Sequence, residues 1–264
     1  MKRIPLAMLS ACLTFVPSTA FLAAVALAAF LAIGSSPASA DDAAPPDSSG
    51  HGAGGAGHAA PAGHGGAYPW TADSALKALQ DGNARFVAGQ PSPKDPQAGK
   101  ALRDKLAAEG QFPLAAVLSC SDSRAPVEEL FDMSFGDIFS IRAAGAVPGV
   151  DQLGSIEYAV AHIGVPLVVV LAHTKCGAVS ASVAGSHEPG NLGELLAKLS
   201  PISEAVKDVS DSDKVRAAVY LSAKRFTEAL PGLSPVIKQA LDQGTVRLVD
   251  AVYDIDTGQV HFHP

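Results

Sequence analysis

The chain has 264 residues, a net charge of −7 and 17% charged residues. That balance excludes a nucleic-acid partner, because a phosphate-binding surface needs a basic patch and no Lys/Arg run occurs. The 48% hydrophobic fraction is inflated by a nearly apolar N-terminus.

That N-terminus reads as an export signal. Lys2 and Arg3 precede an apolar stretch from Ile4 to Ile33, broken at Pro17-Ser18-Thr19, and Ala38-Ser39-Ala40 fits a small-x-small cleavage site. The expectation is an exported, periplasmic protein, with an uncleaved membrane anchor as the rival because the apolar stretch is long. Leu9-Ser10-Ala11-Cys12 resembles a lipoprotein box but has too little apolar sequence before it. Residues 41–69 are rich in Ala, Gly, Pro, Ser and His and read as a flexible linker. His51, His58 and His64 in it are read as incidental rather than metal-capturing.

The folded body, residues 70–264, is expected to start near Trp70. Ala75, Leu76, Leu79, Phe86 and Val87 recur at helical spacing between Thr71 and Ala88. A second helix is expected over Lys100–Ala108. Leu114–Leu118 and Asp137–Ile141 read as buried strands, and Gln152–Ile163 reads as a helix. Leu167-Val168-Val169-Val170-Leu171 has no polar residue to face water, as in a parallel strand covered on both faces. Two or three helices follow between Asn191 and Gln243. Val246–Val252 and Gln259–Phe262 are late strands joined through Asp256-Thr257-Gly258. Strands alternating with helices indicate one α/β domain.

Two motifs carry the chemistry. Cys120-Ser121-Asp122-Ser123-Arg124 follows the first strand. Read as extended chain, it puts Cys120, Asp122 and Arg124 on one side, and Arg124 can hold Asp122 ionised. His173-Thr174-Lys175-Cys176-Gly177 follows the third strand, with Cys176 opening a helix whose N-terminus favours a thiolate. Open α/β sheets place their sites beyond the carboxyl ends of strands, so the motifs can meet there. Two thiolates and one imidazole match an open catalytic zinc site, and Asp122 is the nearby group able to close it. A Cys120–Cys176 disulfide is the competing reading for an exported chain.

The sequence resembles the beta-carbonic anhydrases through Cys120-Ser-Asp-Ser-Arg124, Gly136-Asp-Ile-Phe139, Arg142, Gly154-Ser-Ile-Glu-Tyr-Ala-Val160 and His173-Thr-Lys-Cys-Gly-Ala-Val179, over about residues 71–262. The resemblance implies a mixed, mainly parallel central sheet flanked by helices. It implies Zn2+ held by Cys120, His173 and Cys176, and catalysis of carbon dioxide hydration to bicarbonate. Asp122 and Arg124 would form the dyad that steers the nucleophilic water. Gln111 would help bind substrate, and Tyr158 and His162 would assist proton transfer. The basic unit would be a homodimer, often paired into a homotetramer.

Two departures stand out. Arg142-Ala143-Ala144-Gly145-Ala146 replaces the family's Arg-Asn-x-Gly-Asn. Val117 stands where bicarbonate-regulated members carry Trp, so an open, unregulated site is expected. Thiolate ligands donate more charge than imidazoles, which predicts activity favoured at alkaline pH. Rival readings are hydrolysis of another heterocumulene such as carbon disulfide, zinc storage, and a redox protein.

Overall fold

The structure, a computed structural model, describes residues 68–92 and 96–263. The expected export signal, its expected cleavage site and the three linker histidines lie outside the described residues. A five-stranded sheet organises the rest: β1 (Ala115–Ser119), β2 (Ile138–Arg142), β3 (Leu167–His173), β4 (Arg247–Tyr253) and β5 (Val260–His263). Their order across the sheet is β2-β1-β3-β4-β5. The first four are parallel and β5 is antiparallel to β4, which is the mixed, mainly parallel sheet expected.

The central strands are apolar because both of their faces are covered. Every residue of β1 and β3 is buried, whereas the edge strands β2 and β5 each have one buried residue. Period-two alternation sorts the strand residues between two cores. Ala116, Leu118, Val168 and Val170 face one cluster with Ile156, Leu199, Val219 and Leu230. Val117, Val169, Leu171 and Ala251 face the other, with Leu76, Leu79 and Phe131. Each buried Val, Leu or Ile side chain among them contributes about 1.5–3 kcal/mol relative to exposure.

Eight helices among the described residues cover these faces. On one side are α1 (Ala72–Val87) and the one-turn α3 (Val127–Leu130). On the other are α4 (Val150–Tyr158), α5 (Gly177–Val183), α6 (Gly190–Ala205), α7 (Asp211–Leu233) and α8 (Pro235–Asp242). The eighth, α2 (Pro96–Glu109), precedes β1. It starts four residues before the expected Lys100, since proline at the first helical position removes only an N–H that has no helical partner. Thr71 caps α1 and accepts from the Ser74 amide at 3.2 Å. A Cβ on Gly82 would lie 1.8 Å from the Phe131 carbonyl, so glycine lets α1 seat directly on the backbone after α3. Buried Asn83 then staples α1 to the β4–β5 turn. It donates to Leu130 O (3.1 Å) and Gly258 O (3.0 Å) and accepts from Val260 N (2.8 Å).

The strand order fixes where a site can form. From β1 the chain moves to β2 on one flank, then crosses to β3 on the other. The crevice between the carboxyl ends of β1 and β3 is therefore the topological switch point of the sheet, where open α/β folds bind ligands. Ser119 pairs in register with Leu171, so Cys120 and His173 emerge side by side.

Candidate metal centre

Cys120 follows β1, His173 ends β3, and Cys176 caps α5. Their ligand atoms all lie within 4.8 Å of one another and all three residues are buried. The two sulfurs are 3.9 Å apart and both cysteines are free, so the disulfide of the competing reading is not formed. The turn between His173 and Cys176 is tight because Lys175 adopts a left-handed φ of 59°.

The donor set fits a thiophilic divalent cation. His173 Nδ1 lies 2.9 Å from the Thr174 carbonyl, so its N–H is used there and Nε2 presents its lone pair to the sulfurs. That Nε2 is buried without a hydrogen-bond partner among the described residues. A bound cation would satisfy this atom, which is otherwise costly to bury. The sulfur of Cys120 lies in hydrogen-bond contact with that of Cys176 and accepts from Gly145 N (3.3 Å) and Asp122 N (3.4 Å). The Cys176 contact and, against the cost of burial, His173 and these amides hold the Cys120 thiol well below the ordinary range. The Cys176 thiol is pushed up because it shares its proton with Cys120 and is buried. Burial opposes protonation of His173, but the Cys120 sulfur and the Asp122 carboxylate outweigh it and raise its pKa. The pocket thus attracts positive charge, and a metal ion would replace the protons that the ligands hold.

Asp122 and Arg124 meet, but not through an extended segment. Residues 120–124 form a turn. Asp122 Oδ1 accepts from the Arg124 amide at 2.9 Å and Ala125 N bonds Asp122 O at 3.0 Å. The expectation of alternating sides is corrected here, because a short aspartate side chain captures the amide two residues on. Arg124 grips the carboxylate with Nε on Oδ1 (2.9 Å) and Nη2 on Oδ2 (2.7 Å). The guanidinium bonds hold Asp122 far below the usual carboxylate range. Oδ2 is 3.8 Å from His173 Nε2, so the carboxylate borders the ligand cluster while committed to Arg124.

The same arginine joins the two loops, since Nη2 also donates to Lys175 O at 3.2 Å. Lys175 Nζ pairs with Asp256, and Thr174 Oγ1 accepts from Ile255 N at 3.0 Å, tying the second loop to the β4–β5 turn.

Gln111, Tyr158 and His162 lie together elsewhere, around a recess of about 350 Å³ that none of the three ligands lines. Tyr158 ends α4, and His162 sits in the π-helical turn Ala159–Ile163 that continues it. Their rings are 5.4 Å apart, and Phe139 packs 6.2 Å from Tyr158.

The roles of two residues at the site are not visible in the sequence. Arg142 donates to Cys120 O and Asp122 O, and Gly145 offers its amide to Cys120. Gly145 has a φ of 67°, and a Cβ there would meet Leu199 at 3.2 Å and Ala178 at 3.4 Å. Within the segment that departs from the family pattern, Ala143 continues the pairing beside β1, and Ala146 is buried at a φ of 53°.

The chain is similar to known proteins. Residues 115–260 match a family model described as carbonic anhydrase. A carbonic anhydrase of Mycolicibacterium smegmatis is 40% identical over 196 residues, covering 71% of this chain and 91% of that protein. Carbonic anhydrase 2 of Mycobacterium tuberculosis is 36% identical over 190 residues, covering 70% and 90%. A crystal structure of a beta-carbonic anhydrase from Aspergillus fumigatus superposes with a TM-score of 0.58 at 28% identity, covering 71% of this chain and 90% of that one.

Proposed function

The chain belongs to the beta-carbonic anhydrase family, and we infer that it is a carbonic anhydrase, catalysing the reversible hydration of carbon dioxide to bicarbonate and a proton. The observation that carries this reading is the buried Cys120–His173–Cys176 cluster with its unpartnered imidazole nitrogen.

In this reading the three residues hold zinc, the ion suited to two thiolates and one imidazole. When bound, zinc supplies the Lewis acidity that makes water nucleophilic near neutral pH. Asp122 stays ionised at all working pH values and accepts a hydrogen bond from the attacking water, orienting it. Arg124 occupies both carboxylate oxygens and so keeps Asp122 from collapsing onto the metal position. This supports the open, unregulated form. His173 is kept in one tautomer by the Thr174 carbonyl. The proton released must pass to solvent buffer.

A homodimer and an exported location are parts of the same proposal. Val150 and Tyr158 on α4 are 85% and 51% exposed, and a second copy would cover them. Such a dimer would also place the Gln111 recess of one copy near the other copy. Sedimentation would test the dimer, and N-terminal sequencing of the secreted protein would test cleavage after Ala40.

The activity is tested by stopped-flow carbon dioxide hydration of the purified protein, after chelation and after zinc is returned. Hydration that disappears with chelation and returns with about one zinc per chain supports the reading. Full zinc occupancy with no hydration at pH 7 or pH 8.5 would move the substrate to another small heterocumulene.

A further inference from the structure

We propose that Arg142 is a positioning residue for the metal centre: its guanidinium spans the backbone carbonyls of Cys120 and Asp122 and fixes the first ligand and the dyad carboxylate in one frame. Arg142 is the last residue of β2, in register with Ser119 at the end of β1. Its Nε donates to Cys120 O at 3.0 Å and its Nη2 to Asp122 O at 2.6 Å. The adjoining backbone continues the grip, with Ala143 N on Ser119 O (3.0 Å) and Ser121 N on Ala143 O (3.2 Å). Residues 119–122 are therefore pinned along their length to residues 142–143.

The need for such a clamp follows from where the ligand lies. Cys120 is one residue beyond the strand, in a turn whose carbonyls have left the sheet ladder. Unheld carbonyls would let the turn relax, moving the sulfur relative to His173 and the Asp122 carboxylate relative to both. A planar guanidinium reaches two carbonyls at a fixed spacing, and an ammonium does not reproduce that fork. The two arginines thus divide the work. Arg124 sets the Asp122 side chain and bridges to the second loop at Lys175 O. Arg142 sets the backbone on which Cys120 and Asp122 both depend.

This inference rests on the reading that Cys120, His173 and Cys176 hold zinc. Its test measures zinc affinity by chelator competition and the absorption spectrum of the cobalt-loaded protein, for wild type, Arg142→Met and Arg142→Lys. Arg85→Met, which removes an ion pair to Asp132 away from the ligand loops, serves as the structural control. The expected result is a roughly 10–100-fold loss of zinc affinity in Arg142→Met, the range for outer partners of metal ligands. The thiolate-to-cobalt band should shift, and Arg142→Lys should recover part of the affinity. Arg85→Met should lower the melting temperature and leave zinc affinity unchanged. Affinity of Arg142→Met within about twofold of wild type, with an unchanged cobalt spectrum, would overturn the role. If Arg142→Met does not fold, Arg142→Lys decides, because wild-type affinity there is equally fatal. Wild type that binds no stoichiometric zinc would remove the underlying reading rather than this one.

Discussion

The crevice between β1 and β3 and the recess around Gln111 hold their polar groups in opposite ways. In the crevice Asp122, His173 and Cys120 are each fixed by a further interaction. Arg124 fixes Asp122, Thr174 fixes His173, and two amides fix the Cys120 sulfur. The ligands themselves are buried. In the recess Tyr158 and His162 are exposed and held by ring packing alone among the contacts described. Preorganisation is what converts proximity into catalysis, so the difference predicts where substitutions should hurt.

The largest effect is expected at the ligands. Cys176→Ser should lose zinc, and with it measurable hydration. Retained stoichiometric zinc in that variant, measured by atomic absorption, would break the comparison at its strong end. Next comes the dyad. Asp122→Asn should keep zinc while hydration falls on the order of 10²–10⁴-fold, the range for a group positioned to manage a proton. Stopped-flow rates beside the zinc content separate this from ligand loss.

A smaller effect concerns stability and pH, outside both regions. Asp132 is buried and accepts from Arg85 (2.6 Å) and from the Ser92 amide and hydroxyl. Burial alone would raise its pKa, but these donors outweigh burial and lower it. A carboxylate with a depressed folded pKa contributes stability fully above its unfolded value, near 3.9, and loses it as pH falls through the folded value. Asp132→Asn should therefore cost about 1–3 kcal/mol at pH 7, with the gap to wild type closing below about pH 4. Urea unfolding at pH 7 and pH 3 measures it. A constant gap would show that packing, not charge, is responsible.

The smallest effect is expected in the recess. Tyr158→Phe keeps the ring stacked and should change hydration by no more than roughly threefold, under ~0.7 kcal/mol. A loss beyond about tenfold with zinc unchanged would sharpen the comparison differently. It would mean that the recess of one copy completes the centre of another.

Much of this was legible in the chain. The unbroken apolar runs of β1 and β3 announced central parallel strands, and the two motifs sat directly after them. The helix expected to open at Cys176 is α5, with Cys176 at its cap. What stayed illegible depends on contacts distant in sequence or on local side-chain capture. Nothing in the pattern shows that Arg142 would reach back 22 residues, or that the Gly145 amide would find a sulfur 25 residues away. The Asp122 turn is invisible to strand alternation, which ends with β1 at Ser119. The one-turn α3 is too short for helical periodicity to show. Gln111, Tyr158 and His162 came from resemblance alone, and the fold of one chain leaves them apart from the ligands.

The most direct test of the central claim is zinc K-edge X-ray absorption on the zinc-loaded protein at neutral pH. Two sulfur scatterers near ~2.3 Å and one imidazole nitrogen near ~2.0–2.1 Å, with one further light atom, is the predicted shell. A shell of nitrogen and oxygen alone would place the metal somewhere other than between Cys120, His173 and Cys176, and would contradict the account.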